Sequence, residues 1–215
     1  MNLTEALLST GLFGIVRYRD AGDIAGAVHA LADGGLKAIE VTVDSPGAWE
    51  AIASGATVPG LVVGGGTVVT VEQVKRLACI GASFIVSPGL DVEVVHAASA
   101  LGLDTVTGIA TGTEILAARR AGVTFAKLFP AGALGTRYLR EICGPFSQER
   151  FVATGGIELG EIGDWLNAGA HAVALGSSLA GRQAPSSPAD RDNLNKRAGR
   201  ALDLARAATT NGANI

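Results

Sequence analysis

Phe125-Ala126-Lys127-Leu128-Phe129-Pro130 is a short apolar run that carries one charge. It follows Ala121-Gly122-Val123, where a glycine reads as a helix stop, and its length and composition read as a buried strand. The same unit recurs outward in both directions: an apolar run, a turn, a helical stretch ending in glycine, then another run. The strand candidates are residues 13–18, 38–43, 61–68, 84–89, 105–110, 125–130, 151–157 and 172–179, with starts roughly 20 to 26 residues apart. Helix stops recur at Asp33-Gly34-Gly35, Ile80-Gly81-Ala82 and Ala168-Gly169-Ala170. Helix starts are signalled by Asp91-Val92-Glu93 and by the capping box Thr111-Gly112-Thr113-Glu114. A short amphipathic helix is expected near Asn2–Ser9 ahead of the first strand. Eight strand–helix units predict an α/β fold: a single (β/α)8 TIM barrel over residues 1–215 with a short N-terminal helix. A doubly wound open sheet is the other reading, but Gly64-Gly65-Gly66 lacks the dinucleotide spacing. Residues 183–192 read as a polar loop, 193–208 as a last helix, and 209–215 as a frayed tail.

Strand side chains alternate between faces. Phe125, Lys127 and Phe129 therefore share one face of the sixth strand, and Ala38, Glu40 and Thr42 share one face of the second. Phe13, Ile15 and Arg17 align on the first, and Val63, Gly65 and Thr67 on the third. If these faces point inward, every charged strand residue falls near a C-terminal strand end, where barrel active sites are built. An ammonium in an apolar strand is unfavourable unless paired or neutralised. Desolvation lowers its pKa, and a neutral amine attacks carbonyls, so Lys127 is a candidate Schiff-base nucleophile. Taken singly, Lys127 also reads as a lysine with its head in water, and Glu40 and Arg17 as a structural ion pair. Three such residues on inward positions are hard to explain by packing.

The seventh and eighth strands end in Thr154-Gly155-Gly156-Ile157 and Leu175-Gly176-Ser177-Ser178. Glycine turns at those places cradle phosphate in many barrels, so they suggest an anion site rather than only tight turns. Arg182, just beyond, either reaches a phosphate or is a solvated loop residue.

Composition narrows the class. Charged residues are 17% of 215 and the net charge is -3, without basic clusters, so nucleic acid is a poor partner. No apolar run reaches the length of a membrane span, so no membrane partner is expected. The N-terminus lacks the pattern of a signal peptide, so none is expected. Cys79 and Cys143 give neither a disulfide framework nor metal spacing, and a reducing cytoplasm is the simplest compartment. His29, His96 and His171 are scattered without ligand spacing, so no metal is expected.

These residues resemble the 2-keto-3-deoxy-6-phosphogluconate (KDPG) and 4-hydroxy-2-oxoglutarate (KHG) aldolases, from about Leu7 to Leu179. The motifs are Glu40-Val41-Thr42, Gly64-Gly65-Gly66-Thr67-Val68, Ser87-Pro88-Gly89, Lys127-Leu128-Phe129-Pro130, Gly144-Pro145-Phe146-Ser147 and Thr154-Gly155-Gly156-Ile157. The resemblance implies a class I lyase, a homotrimer, acting on a small 2-keto acid with no cofactor beyond the imine. It makes Lys127 the Schiff-base lysine and Glu40 the general acid/base. Thr67 and an arginine would hold the substrate carboxylate. Thr42, Pro88, Phe129 and Thr154 would line the pocket, and Gly155, Gly156, Gly176, Ser177 and Ser178 would take a phosphate. The phosphogluconate enzymes typically read Glu-x-Thr-x-Arg at the second strand, whereas this chain has Asp44 in the arginine's place. The branch acting on the galactonate epimer looks closer, because it takes its arginine from the first strand, and Arg17 fits that role. Two further readings stand beside the aldolase: a phosphosugar isomerase-like barrel, and a non-catalytic keto-acid-binding barrel.

Overall fold

The computed structural model describes residues 1–212, with side chains through residue 208. Eight parallel strands close into a barrel in sequence order: β1 (Leu12–Val16), β2 (Ala38–Thr42), β3 (Val62–Gly66), β4 (Phe84–Ser87), β5 (Asp104–Ile109), β6 (Phe125–Leu128), β7 (Phe151–Thr154) and β8 (Ala172–Leu175). β8 pairs with β1 and closes the ring, as the eight-unit pattern predicts and an open sheet would not allow. The helices are α1 (Leu3–Thr10), α2 (Ile24–Asp33), α3 (Ala48–Gly55), α4 (Val71–Cys79), α5 (Val92–Ala100), α6 (Gly112–Ala121), α7 (Ala131–Cys143), α8 (Ile162–Asn167), α9 (Ser177–Ala180) and α10 (Pro188–Gly212).

Local sequence sets the ends of these elements. Asn2 and Glu5 form a capping box on α1, as Thr70 and Gln73 do on α4 and Thr111 and Glu114 on α6. Gly122 ends α6 in the left-handed conformation at φ 78°, which lets the chain turn directly into β6.

Two layers of apolar side chains meet across the strands. Inside the barrel, Phe13, Val62, Phe84, Phe125, Val152 and Ala172 pack together, and Leu3, Ala6 and Leu7 of α1 join them. The N-terminal helix thus seals one mouth of the barrel. The Phe13 and Phe84 rings meet edge to face at 5.3 Å, and truncating either to alanine is expected to cost about 3–5 kcal/mol. Outside, Ile39, Val41, Ile85, Leu128 and Val173 pack against the helical ring. The interior is therefore filled by side chains, and the open end is the C-terminal one.

Two expectations change. Inward parity on β3 belongs to Val62, Gly64 and Gly66, not to Val63 and Gly65: Val62 joins the interior layer and Val63 the outer one. A β-carbon on Gly65 would meet Leu77 of α4 at 2.5 Å, which places that face outward. The polar segment 183–192 is not loop throughout, because α10 begins at Pro188. Ser187 Oγ accepts from Asp190 N at 3.2 Å, and Asp190 Oδ2 accepts from Ser187 N at 3.0 Å. That is a capping box with proline at the first helical position, where its missing N–H leaves nothing unsatisfied. Of the expected tail 209–215, α10 covers 209–212, and 213–215 lie outside the described residues.

Candidate active site

β2 and β6 carry Glu40 and Lys127 into the interior, where they are 2% and 8% exposed. Burial pushes the Lys127 amine below its ordinary pKa; the Glu40 charge opposes that shift and Arg17 adds to it. Burial likewise pushes the Glu40 carboxyl up, with Lys127 and Arg17 offsetting part of the rise and Asp44 adding to it. The two shifts converge: burial moves each group toward its uncharged form, the form in which an amine is a nucleophile.

The carboxylate is placed by absence. A β-carbon on Gly66 of β3 would lie 1.6 Å from Glu40 Oε1, so only glycine leaves room for it. Glu40 Oε2 is buried with no hydrogen-bond partner among the described residues, which leaves it available to a ligand. On the other side, Lys127 Nζ stands 5.0 Å from the centre of the Phe129 ring, which covers the amine at the cavity mouth.

Arg17 follows β1 and donates from Nη2 to Thr67 Oγ1 at 2.5 Å. Thr67 lies beyond the end of β3 with φ 61°, alone among the described non-glycine residues in having positive φ. That turn, rather than strand alternation, swings its hydroxyl into the site. Arg17 Nη1 also lies 3.9 Å from Asp44 Oδ2, with both side chains more than half exposed. The loop that carries Arg17 is pinned nearby: Tyr18 N donates to Ser45 Oγ at 3.1 Å, and Ser45 Oγ pairs with Thr42 Oγ1 at 2.9 Å.

One cavity of about 360 Å³ gathers Arg17, Glu40, Thr67, Pro88, Lys127, Phe129 and Thr154 with Gly155, Gly156, Gly176, Ser177 and Ser178. The expected residues thus come together, with one exception. Thr42 is fully buried and hydrogen-bonded to Ser45, so it supports the Arg17 loop rather than lining the cavity. The Gly155 turn packs on the Phe129 ring, since a β-carbon at residue 155 would lie 3.0 Å from it. Gly155 and Gly156 take φ 94° and 70°, which aims their backbone away from ordinary strand geometry. Ser178 Oγ donates to Ile157 O at 2.9 Å and ties the two turns together.

The sequence reading left out four lining residues: Ile15, Ile157, Glu158 and Ala174. Ile15 was on the inward set, and alternation would have found Ala174; nothing in the pattern marks Glu158, an exposed acid past the Gly155-Gly156 turn. Arg182 lies outside this cavity. His29 Nε2 pairs with Ser54 Oγ at 2.9 Å, and His171 Nδ1 accepts from Phe151 N at 3.3 Å, both away from the cavity. No cluster of three metal-ligating side chains occurs among the described residues.

A buried amine and a buried carboxyl in one cavity, with an arginine–threonine pair on its lining, suit a barrel enzyme that forms imines with keto acids. Comparison with known proteins agrees. The KDPG and KHG aldolase family matches residues 3–194. A 2-dehydro-3-deoxy-phosphogluconate aldolase of Treponema pallidum is 35% identical over 168 residues, covering 77% of this chain and 80% of its own. A native KDPGal structure superposes with TM-score 0.82 at 29% identity, covering 92% of this chain and 96% of that one. A KDPG aldolase from Legionella pneumophila, with pyruvate captured as a covalent carbinolamine intermediate, gives TM-score 0.76 at 26% identity over 96% and 98% of the two chains. The chain belongs to the KDPG and KHG aldolase family, whose members are lyases.

Proposed function

We propose that this chain cleaves a 2-keto-3-deoxy-6-phospho sugar acid, 4-hydroxy-2-oxoglutarate, or both, through an imine on Lys127. The observation that carries this reading is the burial of Lys127 and Glu40 in one cavity, with the amine pushed down and the carboxyl pushed up. Neutral Lys127 attacks the C2 ketone to give a carbinolamine, the species named for the Legionella relative. Glu40, directly or through water, moves the protons that expel water and form the protonated imine. The imine is an electron sink, so the C3–C4 bond breaks as Glu40 takes the C4 hydroxyl proton. The electrons rest in an enamine, the aldehyde leaves, and Glu40 returns a proton to C3. Hydrolysis of the imine then releases pyruvate. A positioned acid/base of this kind contributes about 10²–10⁴-fold.

Arg17 and Thr67 hold the substrate carboxylate at one end. A guanidinium suits a planar carboxylate, and fixing it aligns the C3–C4 bond with the imine. Backbone N–H groups around Gly155, Gly156, Gly176, Ser177 and Ser178 would receive a phosphate or carboxylate at the other end. The imine itself supplies the electron sink, so the proposed reaction requires no metal or other cofactor. A cytoplasmic homotrimer is the assembly that goes with this family reading. Among the described residues no helix is long and apolar enough to cross a membrane.

The test is pyruvate release from a panel: 2-keto-3-deoxy-6-phosphogluconate, its galactonate epimer, their unphosphorylated forms, and 4-hydroxy-2-oxoglutarate. Cleavage of at least one, lost in Lys127→Ala, is the expected result. Cleavage of none by a folded protein would leave the isomerase-like and the non-catalytic keto-acid-binding readings.

A further inference from the structure

A second cavity, of about 530 Å³, opens where the segment after α9 meets the first turns of α10. Ala184 of this segment lies against Gly22 in the loop after β1, so the cavity flanks the C-terminal end of the barrel. Arg182 and Arg197 both line it, together with the neutral donors Gln183, Ser186 and Asn193. Neither arginine forms an ion pair with a described residue. Arg197 Nε is buried and without a hydrogen-bond partner among the described residues.

The acid in this cavity, Asp190, is already engaged. Its Oδ2 accepts from Ser186 N at 3.0 Å, Ser186 Oγ at 2.9 Å and Ser187 N at 3.0 Å. The neighbouring phenol does not neutralise the guanidinium either. Tyr18 Oη donates to Ala180 O at 2.9 Å, and burial pushes the group up to about 12 despite the positive charge of Arg197. The wall therefore presents two guanidinium groups that no described residue pairs, beside the one carboxylate of Asp190, which its neutral donors hold in the charged form. A partly buried guanidinium without acceptors is unfavourable, and an anion supplies what it lacks. Two guanidinium groups with hydroxyl and amide donors suit a tetrahedral dianion better than a single halide.

We propose that this cavity is a second anion site, separate from the catalytic cavity, that takes a phosphate group, free or as a monoester. α9 joins the two sites: Ser177 and Ser178 line the catalytic cavity and Ala180 lines this one. The proposal stands apart from the imine chemistry and needs none of the residues assigned to it.

Titration calorimetry with inorganic phosphate, at ionic strength held constant with sodium chloride, tests it on the full chain. Binding at the catalytic cavity is followed separately, as competitive inhibition of pyruvate release. Arg182→Ala and Arg197→Gln are each expected to weaken one class of phosphate site about tenfold or more, the loss of a charge-assisted contact. The inhibition constant and the phosphate-free kcat/KM should not change. Arg182 is exposed, so its variant tests the site even if Arg197→Gln fails to fold. Glycerol 3-phosphate in place of phosphate separates the sources: tighter binding assigns the site to a phosphorylated metabolite, and weaker binding to free phosphate. Unchanged phosphate affinity in folded Arg182→Ala, or equal displacement by chloride at constant ionic strength, would overturn the proposal.

Discussion

Gly66 leaves the space that Glu40 occupies: a β-carbon at residue 66 would fall 1.6 Å from Glu40 Oε1 and 2.3 Å from its Cδ. Gly66 is not among the residues with positive φ, so the backbone there accepts alanine. What forbids alanine is the carboxylate on the neighbouring strand. Gly66→Ala should therefore fold, displace Glu40, and lower kcat by about 10²–10⁴, the contribution of a positioned acid/base. Steady-state kinetics with circular dichroism check this, and wild-type kcat in the variant would remove Glu40 from the proton transfers.

Arg17 is shared between Thr67 and Asp44. Arg17→Met should lower kcat/KM for any keto-acid substrate by about 10- to 100-fold, the loss of a charge-assisted hydrogen bond. Asp44 competes with the substrate carboxylate for the same guanidinium across an exposed 3.9 Å gap. Asp44→Asn should accordingly lower KM, by about fivefold at most, since exposed pairs are worth up to about 1 kcal/mol. Initial rates over a range of substrate concentrations separate the two effects.

Imine formation should respond to pH in a direction set by the neighbours of Lys127. Burial holds its pKa low, so the rate of trapping with pyruvate should rise with pH and level off below the ordinary lysine range. The Glu40 charge raises that pKa, so Glu40→Gln should move the inflection to lower pH. The Arg17 charge lowers it, so Arg17→Met should move the inflection to higher pH. Timed borohydride quenching across a pH series gives all three curves.

The buried pair serves chemistry at some expense to stability. Lys127 binds fewer protons folded than unfolded, so its contribution to stability rises with pH from its lowered folded pKa toward the ordinary lysine value. Glu40 binds more protons folded, so its contribution is fullest below the ordinary carboxylate value and is lost as pH rises through the raised one. Burial disfavours the charged form of each group. The double variant Glu40→Gln, Lys127→Met should be inactive yet more stable by about 1–4 kcal/mol, as when a buried ion pair is replaced by neutral side chains. Denaturant unfolding measures the difference.

The barrel was legible because eight apolar runs at regular spacing leave few other topologies. Glu40 and Lys127 were legible because each stands alone in an apolar strand and alternation fixes its face. Alternation failed on β3, where Gly64, Gly65 and Gly66 carry no side chains to show which face is inward, and Thr67 enters through a positive φ that no periodicity encodes. The start of α10 was missed because Ser187, Pro188 and Asp190 read as loop composition, although together they are a helix start. Thr42 shared the inward face but lies under Ser45, a depth that strand parity does not report. Arg182 read equally as a phosphate contact or a solvated loop residue, and the structure sets it in a different cavity from the glycine turns.

The most direct measurement is incubation with pyruvate, borohydride reduction, and mapping of the adduct by mass spectrometry. The proposed mechanism predicts one reduced pyruvyl adduct, at Lys127, that is absent without borohydride and absent in Lys127→Ala. Lys37, Lys75 and Lys196 serve as internal controls and should remain unmodified. No adduct at any lysine of a folded protein, or an adduct elsewhere that survives Lys127→Ala, would contradict it.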